Sequence, residues 1–211
     1  VCMLYQETCR HQQIHFGMEY KDCISFDNEV LPVKNFIALS DELYSGWSLI
    51  NYSNTANKLS WGFEYEHDRI AFYDAAIHIK LKIQKYIRNP IQLCKIHVNG
   101  QTTNQVAPFH KDFLQPWVWT FVLFTNLKWN QEWGGEFVCY NTNTNKYNHV
   151  PYIPNRGVLV PSNWDHYGSS PNALTDNLRT TIGFSYVLSD KLDDLLHSMK
   201  PNSKLKSKLL L

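Results

Sequence analysis

Residues 116–127 read PWVWTFVLFTNL, a run of aromatic and β-branched residues with no charge before Lys128. Such a run suits a strand buried on both faces. Upstream, IQLCKIHV (91–98) alternates like a second strand, and the polar NGQTTNQVAP (99–108), with Gly100 and Pro108, reads as a loop. Downstream, GGEFVCYN (134–141) alternates after a glycine pair, and NTNTNKYN (141–148) is a turn cluster. HVPYIP (149–154), RGVLVPS (156–162) and LRTTIGFSYVL (178–188) complete the series. Short strands at this spacing predict a mainly β domain, a sandwich or jelly roll.

Helices are expected outside this series. HDRIAFYDAAIHIKLKIQKYIR (67–88) carries an apolar stripe of Ile70, Tyr73, Ala76, Ile77, Ile79, Leu81, Ile83 and Ile87, and Pro90 stops it. Within 29–50, a strand-like start leads to Ser40, which reads as the N-cap of a short helix ending near Gly46. Residues 51–61, rich in Asn and Ser, read as a loop, and 189–199 as a terminal helix. The expected organisation is an N-terminal arm (1–28), one domain (29–199) with no internal linker, and a basic, frayed tail (200–211).

Composition narrows the function classes. With 44% hydrophobic and 18% charged residues, the 211-residue chain has a globular balance and enough length for one core. A net charge of +1 leaves no broad electrostatic footprint for nucleic acid. The five cysteines are odd in number and irregularly spaced, which reads as reduced thiols and a cytoplasmic protein. No apolar run approaches the roughly 18–20 residues that span a bilayer, and no signal peptide is evident. Cys9, His11, His15 and Cys23 can be drawn as a zinc site, but their spacing matches no standard pattern.

The chemistry centres on APFHKDF (107–113). On extended backbone, His110 and Asp112 point to one face and Lys111 to the other. His166, just beyond the strand that begins at Gly157, offers a third ligand; His149 is its rival but lacks a glycine-led strand before it. Two histidines and one carboxylate form a facial triad that leaves octahedral positions open. A keto acid occupying two of them needs a cation for its far carboxylate. Arg179 is a planar, permanently charged fork, and Thr181 would add a hydroxyl on the same face.

HKD (110–112), WGGEFVCY (133–140), PNRGVLVPSNWDHYGSS (154–170) and LRTTIGFSY (178–186) together resemble the iron(II)- and 2-oxoglutarate-dependent dioxygenases, in their prolyl 4-hydroxylase-like branch. The resemblance covers about residues 29–188. It implies a double-stranded β-helix with N-terminal supporting helices, ferrous iron on His110, Asp112 and His166, and 2-oxoglutarate on Arg179. Ascorbate is a candidate reductant. His97 stands where relatives often carry a tyrosine that touches 2-oxoglutarate, so it reads either as a cosubstrate contact or as a core histidine. The implied reaction hydroxylates a C–H bond, first of all in a prolyl residue of a peptide or protein, while 2-oxoglutarate and O2 become succinate and CO2. A free amino acid or other small molecule is the second substrate class, and nucleic-acid demethylation the third. A non-catalytic metal-binding jelly roll and a cupin-type hydrolase or isomerase are the competing classes.

Overall fold

The computed structural model describes residues 23–26, 29–43, 47–51, 59–63, 69–105 and 107–199. Cys9, His11, His15 and the tail from 200 onward lie outside these residues. The alternating and apolar runs become strands β1 (Ile24–Phe26), β2 (Trp47–Asn51), β3 (Leu59–Phe63), β4 (Ile91–Gln101) and β5 (Val118–Phe124). They continue as β6 (Phe137–Asn141), β7 (Lys146–Val150), β8 (Gly157–Pro161), β9 (His166–Gly168) and β10 (Arg179–Leu188). Among the described residues three α-helices accompany them, α1 (Val33–Asp41), α2 (Ile70–Ile83) and α3 (Leu192–Ser198).

A seven-stranded sheet runs in the order β1-β8-β5-β10-β4-β3-β2, and a three-stranded sheet in the order β7-β6-β9. Every pairing is antiparallel. Two layers of core follow from strand alternation. Ile182, Phe184 and Tyr186 of β10 join Trp119, Phe121 and Leu123 of β5 beneath α1 and α2. On the opposite face, Val122 and Phe124 meet Phe137 and Cys139 of the small sheet, with Val158, Val160 and Trp164. All ten residues of β10 are buried, as befits a strand sandwiched on both faces.

Several elements differ from the sequence expectation. The first helix begins at Val33, directly after Pro32, and Ser40 lies in its last turn rather than at its cap. Pro32 is its N-cap, with extended backbone, and the buried Ser40 hydroxyl donates instead to Thr125 O at 2.9 Å. The expected loop 51–61 contributes both ends of a hairpin, Trp47–Asn51 paired with Leu59–Phe63. β4 runs three residues beyond Val98, because β10 pairs with it as far as Arg179↔Gln101. β7 starts at Lys146, within the expected turn cluster, and ends at Val150. Residues Ile24–Phe26, assigned to the N-terminal arm, pair with β8.

α2 has the expected place but a different inner face. Phe72, Ala75, Ala76, Ile79 and Ile83 are buried, while Ile70, Tyr73, Ile77 and Leu81 are exposed. The helix is apolar nearly all round, so periodicity alone does not select a face. The alanines let the helix lie close to the sheet, and the Tyr186 hydroxyl donates to Ala76 O at 2.7 Å.

Candidate metal centre and anion site

His110 precedes β5 and His166 opens β9, and the two form an isolated antiparallel bridge. Alternation on either side of the bridge sorts their neighbours. Phe109 and Tyr167 meet edge to face at 4.6 Å, and Lys111 reaches Asp165 at 3.6 Å. These pairs flank the bridge, while the two imidazoles lie together with ring centroids 4.6 Å apart.

Each imidazole is oriented alike. His110 Nδ1 lies 3.0 Å from Pro108 O and His166 Nδ1 lies 2.9 Å from Trp164 O, in both cases the carbonyl two residues earlier. With Nδ1–H donating, Nε2 is the free lone pair, which is the tautomer a metal ligand needs. His110 Nε2 stands 3.7 Å from Asp112 Oδ1, and His166 Nε2 stands 3.6 Å from Asp112 Oδ2. The ligand atoms of the three residues all lie within 4.8 Å of one another, the one such group among the described residues. The side chains of Asp112 and His166 are 6% and 5% exposed and that of His110 is 47% exposed, so the group opens to solvent past His110.

The protonation states suit metal binding. Burial lowers the pKa of His166, leaving its imidazole neutral. For Asp112, burial pushes the carboxyl up, but the charges of His97, His166 and Lys95 outweigh it and hold the group well below the usual carboxylate range. Two imidazoles and one carboxylate are the donor set of a divalent first-row metal. His149, the rival ligand, lies elsewhere, with Nδ1 3.1 Å from Glu136.

Arg179 begins β10 and is 2% exposed. Its Nε donates to Gly135 O at 2.6 Å and its Nη1 to Gln101 Oε1 at 2.9 Å. The guanidinium lies 5.1 Å from the centre of the Tyr152 ring. Among the described residues its buried Nη2 has no hydrogen-bond partner. Gly168 makes this packing possible: a Cβ there would fall 2.8 Å from Nη1. Burial lowers the Arg179 pKa to about 10, so the group is a cation at neutral pH with one donor unused. A buried, partly unsatisfied cation costs several kcal/mol, of order that for an unpaired buried ion. An anion at Nη2 would offset that cost.

Thr181, Gly183 and Ser185 follow Arg179 on the same face of β10. His97 pairs with Gly183 across the sheet, and a Cβ on Gly183 would fall 2.0 Å from the imidazole. Burial drops the His97 pKa to about 3, and its Nδ1 has no partner among the described residues. The residue is nevertheless only partly buried rather than sealed in the core.

Gln101, Thr120, Ser162 and Ser185 escape sequence reasoning. Gln101 accepts from Arg179 and donates to Gly168 O at 2.8 Å. Thr120 donates to Asp112 Oδ2 at 2.8 Å. No motif marks them; the register of β4, β5 and β10, and of β5 with β8, whose end Ser162 follows, brings them to the site.

No family model matches the chain, and no curated protein sequence matches it. Solved structures do. HygX from Streptomyces hygroscopicus, with nickel and 2-oxoglutarate bound, superposes with a TM-score of 0.60 at 11% identity, over 79% of this chain and 83% of its own. A Pseudomonas putida prolyl-4-hydroxylase gives 0.58 at 13% identity, over 79% and 92%. A Trichoplax adhaerens prolyl hydroxylase, in complex with a hypoxia inducible factor peptide fragment, gives 0.60 at 14% identity, over 84% and 87%. The expected jelly roll is therefore the fold of this chain: the two-sheet double-stranded β-helix that these oxygenases share.

Proposed function

We propose that the chain is an iron(II)- and 2-oxoglutarate-dependent oxygenase that hydroxylates a C–H bond. The observation that carries this reading is the pairing of a His110–Asp112–His166 metal cluster with a buried arginine whose Nη2 has no partner. A cation fixed inside the sheets answers an anion, and a facial triad answers a metal with open positions. Structures of the same fold hold nickel with 2-oxoglutarate, which supports that pairing of ligands.

In this reading His110 and His166 hold iron through Nε2 and Asp112 through its carboxylate. Arg179 holds the far carboxylate of 2-oxoglutarate through Nη2, with Thr181 on the same wall. His97 offers a neutral ring beside the cosubstrate. Bound iron and 2-oxoglutarate supply the oxidising chemistry, in which 2-oxoglutarate and O2 become succinate and CO2. The protein orients the reactants and excludes water: the buried faces of Asp112 and His166 close one side, and the half-exposed His110 marks the side from which substrate arrives.

The substrate we favour is a prolyl residue in a peptide or protein, because the motifs resemble the prolyl 4-hydroxylase-like branch and two neighbours of the fold are named prolyl hydroxylases. A small-molecule substrate is the second reading, supported by a HygX structure that carries hygromycin B. The test is succinate formation from 2-oxoglutarate with ferrous iron and O2, followed by mass spectrometry of proline-containing peptides for one added oxygen. The class is wrong if no succinate forms or if His110→Ala turns over normally; the substrate is wrong if succinate forms with other compounds and no peptide gains oxygen.

A further inference from the structure

Behind Asp112 lies a cluster of buried hydroxyls that the reaction itself does not call for. Thr120, Ser162 and Ser185 are each 0% exposed. They come from β5, the end of β8 and β10, and their oxygens converge on one point. Thr120 Oγ1 lies 2.8 Å from Asp112 Oδ2, 2.8 Å from Ser162 Oγ and 3.3 Å from Ser185 Oγ.

The direction of these bonds is fixed by counting protons. An ionised carboxylate only accepts, so Thr120 spends its one proton on Asp112 Oδ2. Ser162 and Ser185 must then donate to the Thr120 oxygen, since it has no second proton to give. Ser162 also holds the backbone: its carbonyl accepts from Asp112 N at 3.0 Å and from Phe113 N at 3.2 Å. Side chain and main chain of Asp112 are thus anchored from one side.

We propose that Thr120 is a positioning residue that ties back Oδ2 of Asp112, leaving Oδ1 as the oxygen given to the metal. This rests on the reading of His110, Asp112 and His166 as a metal site. A carboxylate that offered both oxygens would fill a further coordination position. Held to one oxygen, it leaves room for a chelating cosubstrate and a third small ligand. The hydroxyl bond is charge-assisted and buried, which makes it strong and directional. Hydrogen bonds to metal ligands typically change metal affinity about 10–100-fold when removed.

The test uses Co(II) alone as probe, without 2-oxoglutarate or turnover. Thr120→Val, which removes the hydroxyl at constant shape, is expected to weaken Co(II) binding at least about 10-fold and to change the visible d–d spectrum, because the coordination number changes. Thr120→Ser, which keeps the hydroxyl, restores both. Should the valine variant not fold, Thr120→Ala, which brings no methyl toward the carboxylate, is read in the same way. A variant that keeps the wild-type affinity and spectrum overturns the role of Thr120 and leaves the metal site standing. Wild-type protein that binds no Co(II) overturns the metal site itself, and the proposal with it.

Discussion

His110 and His166 exchange both backbone hydrogen bonds, His110 N to His166 O at 3.1 Å and His166 N to His110 O at 3.0 Å. The two ligands are thus set by main-chain pairing before any metal arrives. Their side chains share one face of the bridge, and Lys111 takes the other. His166→Ala should therefore lower divalent-metal affinity by at least about 100-fold, whereas Lys111→Ala should leave it within about 2-fold. Isothermal titration with Co(II) measures both. Equal losses in the two variants would mean that the ligand face is misread.

Arg179 should govern the anion and not the metal. In Arg179→Met the metal affinity is expected to stay, while 2-oxoglutarate no longer raises the melting temperature. For the wild type, ligand at a hundred times its dissociation constant adds about 2.7 kcal/mol of stability. Thermal unfolding with and without 2-oxoglutarate, in the presence of a divalent metal, separates the cases. An unchanged ligand-induced shift in the variant would place the anion elsewhere.

Gly168 predicts a subtler separation. A methyl there would press on the Arg179 guanidinium, 2.8 Å from Nη1 and 2.9 Å from Nη2. Gly168→Ala should displace the guanidinium and raise the KM for 2-oxoglutarate about 10-fold or more, an estimate of the order a lost charge-assisted bond gives. Metal binding, measured without 2-oxoglutarate, should not change, although His166 is only two residues away.

His97 gives the apo protein an acid sensitivity. Its folded-state pKa is about 3 against an ordinary 6.5. As pH falls below 6.5 the unfolded chain takes up a proton that the folded chain refuses, so folding stability drops. The loss runs through the window from 6.5 to about 3, at up to about 1.4 kcal/mol per pH unit. His166, also lowered by burial, acts in the same direction. In chelator, His97→Gln should show a smaller decline in urea midpoint between pH 7 and pH 5 than the wild type. Parallel declines would show that His97 is not held neutral.

The parts of the fold that could be read in advance are those where composition and burial coincide. β5, β8 and β10 are buried on both faces and largely apolar, so their runs stand out; Arg179 opens β10, His110 and Asp112 precede β5, and His166 follows β8. What escaped lies where side chains do not decide the backbone. The β2–β3 hairpin is built on Asn- and Ser-rich sequence at a sheet edge, where main-chain pairing suffices. α1 was displaced because Ser40 is as good a core hydrogen-bond donor as a cap. Thr120, Ser162, Ser185 and Gln101 were silent because a polar residue within or just after a strand carries no signature until its cross-strand neighbour is known.

β10 lies between β5 and β4 in the middle of the large sheet. On a ribosome, β3, β4, β5 and β8 emerge first, and the edges that β4 and β5 turn to β10 stay unpaired until residues 179–188 follow. The central sheet therefore closes late, through partners as distant as Gln101 and Arg179, and loop closure of that length slows folding. Newborn chains would hold those two strand edges open for that interval. This predicts a greater need for chaperones during synthesis than a domain of this size with hairpin-ordered strands would have.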